Sequence, residues 1–359
     1  MNAEELVAAI VATPEAEEAW IFYADWLLDR GHPRGELIYL QAAADGGDVD
    51  AINRLRRLED DEEPLLSPRL AAKARHWKFD WRRGFIQRAA LRRDEGEPDA
   101  EMLAALCADP HVALLSGLTI DHVDGACTLG NLDAELARLR RLDVLCLGGV
   151  NLASLRHANL RVLHIEDAHC PPVLDGNFDL PRLERLIWDL SDPALLGIPT
   201  SIAHAPPPSL ACLELPFATA DTIASLASSP LARQLQALDF GTYGSKTIAA
   251  MCDHATAFPN VRKLRITSPR RRLRLHLGAL DLAAVRDEVW ADEKTISGLV
   301  DDLRRRLPTT ELDTEMFFVP RPSRSPRPER PHVQFDAESR GPDGRIDALG
   351  KWISESRRR

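Results

Sequence analysis

Leu210-Ala211-Cys212-Leu213-Glu214-Leu215, Leu235-Gln236-Ala237-Leu238-Asp239-Phe240 and Val261-Arg262-Lys263-Leu264-Arg265-Ile266 are three copies of one phrase, apolar-x-x-Leu-x-apolar. Working upstream, the same phrase reads Leu183-Leu186-Trp188, Leu160-Leu163-Ile165, Leu142-Leu145-Leu147 and Leu115-Leu118-Ile120. The central residues then fall at 118, 145, 163, 186, 213, 238 and 264, with intervals of 27, 18, 23, 27, 25 and 26. A leucine-rich repeat has a period of about 20 to 29 residues, so five of the six intervals fit. The short one predicts a tight connection in place of a helix.

Each Leu-x-Leu reads as a short strand whose alternate side chains enter a core, because strand side chains change face with period two. The segments between strands carry the chain back: 220–228 and 246–254 have helical periodicity after the capping candidates Thr219 and Ser245. One unit cannot bury its own apolar face, so the units must stack. The expectation is an α/β leucine-rich-repeat solenoid, with parallel strands on a concave face and helices and loops on the convex one. The asparagine common under such turns is missing; Val123, Val150, Ala168, Ser191, Ala218, Tyr243 and Pro269 stand there. Trp81 to Leu91 reads as an entry strand, and Leu273, Leu275 and Leu277 as a further strand. A helix over 293–307 and a strand over 311–319 read as the closing cap.

The N-terminus reads as helices. Asn2 and Glu5 have capping-box spacing, and Thr13 reads as the cap of a second helix that stops at Gly31 before Pro33. Further helices are expected from Arg34 to about Ala44, near 50–59 and over 67–77. The residues Tyr23-Ala24-Asp25-Trp26-Leu27, Arg30-Gly31 and Pro33-Arg34-Gly35-Glu36 resemble the bacterial repeat-companion domain, and Arg83-Gly84-Phe85 resembles the strand that often follows it. The close resemblance covers roughly the first 41 residues. It implies an all-helical domain placed ahead of leucine-rich repeats, and no activity or catalytic residue. The expected organisation is a helical domain over 1–80, a solenoid with its cap over 81–319, and a Pro/Arg-rich basic tail over 320–359.

Composition narrows the function classes. There is no run of about 18 apolar residues, so no membrane span is expected, and the acidic N-terminus lacks the features of a secretory signal. The six cysteines are scattered without a CxxC pair, which reads as reduced thiols in a cytoplasmic protein. The formal charge is −10. From Pro320 onward ten basic residues face six acidic ones, so the tail is +4 and the rest is −14. That balance disfavours a general nucleic-acid-coating role. No HExxH, GxSxG, strand-linked GxGxxG or Walker sequence occurs. Gly241 to Thr247 (GTYGSKT) lacks the Gly-Lys-Ser/Thr order of a phosphate loop and reads as a turn. His157, His164, Glu166, Asp167, His169 and Cys170 cluster in sequence, but only His164 among the histidines belongs to a strand face. No metal or cofactor is therefore expected.

The concave face is the expected working surface. It should carry His164, Glu166, Arg185, Ile187, Asp189, Glu214, Asp239, Lys263 and Arg265. These predict an acidic strip through Glu166, Asp189, Glu214 and Asp239, with a basic patch at Lys263 and Arg265. The expected function is a non-catalytic protein-binding scaffold whose partner presents a basic segment. Two rivals stand beside it: a nucleic-acid-associated regulator acting through the basic tail, and an enzyme with unfamiliar site geometry. In the tail, Ile346, Leu349, Trp352 and Ile353 have helical spacing and form a second candidate partner-binding motif. Asp25, Arg30, Arg34 and Glu36 are expected to serve the helix ends structurally. The oligomeric state is left open.

Overall fold

The structure, a computed structural model, describes residues 2–60, 63–91, 100–122, 127–128, 136–146, 150–151, 155–167, 179–190, 200–216, 218–242, 245–267 and 293–315. They belong to one compact unit spanning Met1–Phe317. The architecture is mixed α/β: a ten-stranded, mostly parallel sheet with helices packed on one face.

The N-terminal helices are α1 (Ala3–Ala12), α2 (Glu17–Leu28), α3 (Pro33–Asp45), α4 (Val49–Asp60) and the short α5 (Pro68–Ala71). Asn2 and Glu5 form the capping box. Thr13, expected to cap α2, instead closes α1, donating its hydroxyl to the Ala9 carbonyl. Helix α2 starts from Ala16 without a side-chain cap; the Trp20 indole fixes this entry by donating to the Pro14 carbonyl at 2.8 Å. Leu6, Ile10, Trp20, Tyr23, Ala24, Leu27 and Ile38 share a core with Phe85.

The helix expected over 67–77 ends early, and Trp77–Arg82 is β1. It pairs antiparallel with β2 (Phe85–Leu91) through the two-residue turn Arg83-Gly84. Both turn residues have positive φ, 49° and 73°, as a turn matched to the strand twist requires. A Cβ on Gly84 would lie 2.6 Å from Ile38, so the turn is also pressed onto α3. The boundary expected at residue 80 falls inside β1. Alternation of Trp77, Phe79 and Trp81 with Lys78, Asp80 and Arg82 buries one face of this edge strand and charges the other.

From β2 onward every neighbour is parallel: β3 (Gly117–His122), β5 (Arg141–Cys146), β7 (Val162–Asp167), β8 (Arg185–Leu190), β9 (Cys212–Leu215), β10 (Ala237–Gly241), β11 (Lys263–Thr267) and β12 (Glu311–Glu315). The short strands β4 (Cys127–Thr128) and β6 (Val150–Asn151) pair separately. Leu118, Leu142, Leu163, Leu186, Leu213, Leu238, Leu264 and Leu312 are direct register partners in one continuous row. The first seven are at most 1% exposed.

This register corrects the reading of the second unit. Leu142, not Leu145, stands in the row, and the phrase there is Leu139-x-x-Leu142-x-Val144, all buried. The intervals become 24, 21, 23, 27, 25 and 26, and the anomalous short one vanishes. Choosing between two overlapping leucine frames needs the neighbouring strand, since both frames are apolar.

The further α-helices among the described residues are α6 (Ala100–Cys107), α7 (Thr200–His204), α8 (Ala220–Ala227), α9 (Pro230–Gln234), α10 (Ser245–Asp253) and α11 (Glu293–Arg306). Thr219 caps α8 through the Thr222 amide. Ile223, Leu226, Ile248, Met251, Ile296, Val300 and Leu303 join the strand leucines in one core, which places α8, α10 and α11 on a single face of the sheet. Strand β12 pairs directly with β11, and the strand expected at Leu273 to Leu277 lies outside the described residues. The expected last strand runs over Glu311–Glu315 in the described residues.

Candidate functional site

Because the leucine row points into the core, alternate positions define the opposite, open face. The row beside the leucines is Thr119, Asp143, His164, Ile187, Glu214, Asp239, Arg265 and Asp313. Glu166 and Asp189 are direct partners in a second row, while Arg141, Arg185 and Lys263 belong to a third. All nine open-face residues named from the sequence therefore occupy this face. The candidate tail residues Ile346, Leu349, Trp352 and Ile353 lie outside the described residues.

The expected acidic strip is corrected. Glu214 is only 5% exposed and hydrogen-bonded by the Arg185 guanidinium, so its charge is spent within the sheet. Arg265 stands between Asp239 at 4.0 Å and Asp313 at 3.4 Å, so of the two cations expected to form a basic patch Arg265 is paired within the sheet and Lys263 is exposed. Arg141 grips Asp143 with two hydrogen bonds of 2.7 and 2.8 Å. Part of the face is therefore a set of cross-strand and local ion pairs. Arg141 and Asp143 were missed because of the frame error, and Asp313 because Leu312 was not recognised as a repeat position. The phrase around Leu142 and Val144 was the available signal.

One place gathers three side chains that can act as ligands. His164, Glu166 and Asp189 each offer one ligand atom, all within 4.8 Å of one another. The His164 ring also meets Asp143, with Nδ1 3.1 Å from the carboxylate, which orients the ring and leaves Nε2 for another partner. Burial opposes the charge on Asp143, but the hydrogen bonds from His164 and Arg141 outweigh it and hold that carboxyl below its ordinary range. Two carboxylates and an imidazole at this spacing could hold a divalent cation, and they equally suit a lysine or arginine side chain. The sequence cluster expected here is reordered: Asp189 enters from the next strand. His157 is 1% exposed, with Nε2 2.9 Å from the Leu136 carbonyl, so it serves the core. His169 and Cys170 lie outside the described residues.

Other candidates have structural work. In the Gly241 to Thr247 stretch the Thr247 hydroxyl donates to the Ala218 carbonyl and the Thr242 amide to the Thr267 carbonyl, while Tyr243 and Gly244 lie outside the described residues. Burial raises the Cys212 thiol and pushes Cys252 up to about 11, so neither is poised as a thiolate. Around Gly31, Asp25 accepts from the Tyr39 hydroxyl, Arg30 donates to the Trp26 carbonyl and covers its ring, and Glu36 pairs with Arg54.

The chain matches no protein-family model and no curated protein. Among solved structures it is similar to a crystal structure of a Bacteroides fragilis protein, at 16% identity and a TM-score of 0.34. That match covers 52% of this chain and 60% of the other, and at this level it decides neither fold family nor function. Among the described residues, no helix is long and apolar enough to cross a membrane.

Proposed function

We propose that this protein is a non-catalytic, cytoplasmic binding scaffold: a leucine-rich-repeat solenoid, opened by a repeat-companion-like helical module, that holds a protein partner on its open sheet face. The observation that carries this reading is the junction of His164, Glu166 and Asp189, three acceptors within 4.8 Å on adjacent rigid strands. Around it Arg185 pairs with Glu214, Arg141 with Asp143 and Arg265 with Asp313, so a docking cation would meet the convergent His164, Glu166 and Asp189 within a lattice of ion pairs. A partner with a basic side chain projecting from an extended or helical segment fits that focus. The paired charges around it set orientation and reject mismatched partners, since a wrong charge would leave one of them desolvated and alone.

The test is affinity capture from the native lysate with wild-type bait and with bait carrying Glu166→Lys and Asp189→Lys, both checked for equal folding. A defined protein held by the first and lost by the second supports the reading. Capture that survives the reversal overturns the open-face assignment. Glu214 is unsuitable for this purpose, because reversing a buried, paired carboxylate would unfold the sheet.

A further inference from the structure

A second site lies where the α1–α2 connection meets the β1–β2 turn and the approaches to β3 and β5. There the chain forms a cleft of about 490 Å³ lined by Arg82, Arg83, Arg138 and Arg140, with Trp20 in its wall and Glu15 as its one acidic group. The lining carries a net +3 in a chain whose formal charge is −10. Arg82 and Arg140 are exposed, and Arg83 and Arg138 are half-buried. Among the described residues none of the four guanidiniums makes an ion pair or a side-chain hydrogen bond. Arg83 alone has a contact, lying over the Trp20 ring at 5.4 Å. Other arginines of this protein pair with carboxylates, as Arg141, Arg185 and Arg304 do.

Two independent features mark the cleft as built for an anion. Like charges gathered around one concavity repel each other, and an occupying anion relieves that repulsion. Arg83 also holds φ of 49° in a turn position where Asn or Gly would sit without strain. A bulky cation is placed there against local preference, with its head directed over Trp20 into the cleft.

We propose that this cleft binds a phosphorylated ligand carrying at least two phosphate groups. Planar guanidinium forks match phosphate oxygens in pairs, so four arginines suit a diphosphate or two neighbouring phosphates rather than a single small anion. The volume falls in the range of small-molecule sites and leaves room for an organic body beside the phosphates. The same chemistry is available from a free diphosphate compound or from adjacent phosphorylated side chains of a polypeptide. The site is separate from the open-face junction and does not rest on it.

Titration calorimetry of the full chain in about 0.15 M salt, with inorganic pyrophosphate, ADP and a doubly phosphorylated serine peptide, tests the assignment. Saturable one-to-one binding of at least one probe is expected; pyrophosphate or ADP indicates a free ligand, and the peptide alone indicates a polypeptide source. Arg138→Ala with Arg140→Ala should weaken that binding by at least about tenfold. Arg83→Asn, which suits the turn better, should weaken it while leaving thermal stability equal or higher. No saturable binding of any probe overturns the proposal. So does equal weakening by the control pair Arg304→Ala with Arg305→Ala on α11, which removes the same charge far from the cleft in sequence.

Discussion

The guanidinium of Arg34 donates to the Tyr23 hydroxyl at 2.8 Å across the α2–α3 contact, with Arg34 only 2% exposed and Tyr23 also 2% exposed. This bond explains two members of the companion-like motif at once. Burial lowers the Arg34 pKa, and the nearby Tyr23 and Asp109 partly offset that cost. Its Nε and Nη1 find no hydrogen-bond partner among the described residues. Arg34 is a buried cation held by one strong contact.

Tyr23→Phe should therefore destabilise the protein by about 1–3 kcal/mol, since it strands the guanidinium. Replacing both partners, Tyr23→Phe with Arg34→Met, should cost less than the sum of the single changes. Urea denaturation of the three variants checks this; strict additivity would refute the coupling.

Glycine substitutions should separate backbone strain from crowding. Gly31 has φ of 67° and open space around its Cβ position, so Gly31→Ala should cost about 1 kcal/mol. Gly84→Ala adds a collision with Ile38 to the same strain and should cost more. Gly298 lies exposed within α11 with no neighbour in reach, and Gly298→Ala should stabilise by about 0.5–1 kcal/mol. Thermal melts would rank the three.

The leucine row should respond as a core. Leu142→Ala should cost about 2–5 kcal/mol, as for a fully buried leucine in a packed interior. A loss under about 1 kcal/mol in denaturant titration would place Leu142 outside the row and restore the frame centred on Leu145.

His32 caps α3 by accepting the Arg34 amide at Nδ1, 3.3 Å away, which requires a neutral ring. Burial and the Arg34 charge lower its pKa below the ordinary 6.5. A lowered histidine contributes stability that is complete above the unfolded pKa. That contribution declines as pH falls through the unfolded value toward the folded one. Stability should drop from pH 7 to pH 5.5, and His32→Asn, which caps without titrating, should flatten that drop. An unchanged slope would remove His32 as its source.

The repeat phrase was legible in the sequence because period-two alternation and a recurring leucine are local properties of the chain. They sufficed to place seven strands, the open face and all nine residues assigned to it. The phrase failed at Leu142 and Leu145, where two apolar frames overlap, and at Leu312, where 48 residues separate it from Leu264. Only the register with β7 and β11 resolves those positions.

Charge placement was legible only by identity. Glu214 and Asp239 are acidic in any reading, yet whether they form a field depends on Arg185 and Arg265 reaching them from neighbouring strands. The same holds for the acceptor junction, which joins His164 and Glu166 to Asp189, and for the cleft, which gathers arginines from the β1–β2 turn and from the approach to β5. Outside the overlapping frame at Leu142 and Leu145 and the distant Leu312, the sequence determined which residues repeat and which face each one takes, because these follow from the geometry of a single strand. The tertiary structure decided which charges pair with one another and which converge at the junction and the cleft, because that depends on distances between segments 20 or more residues apart.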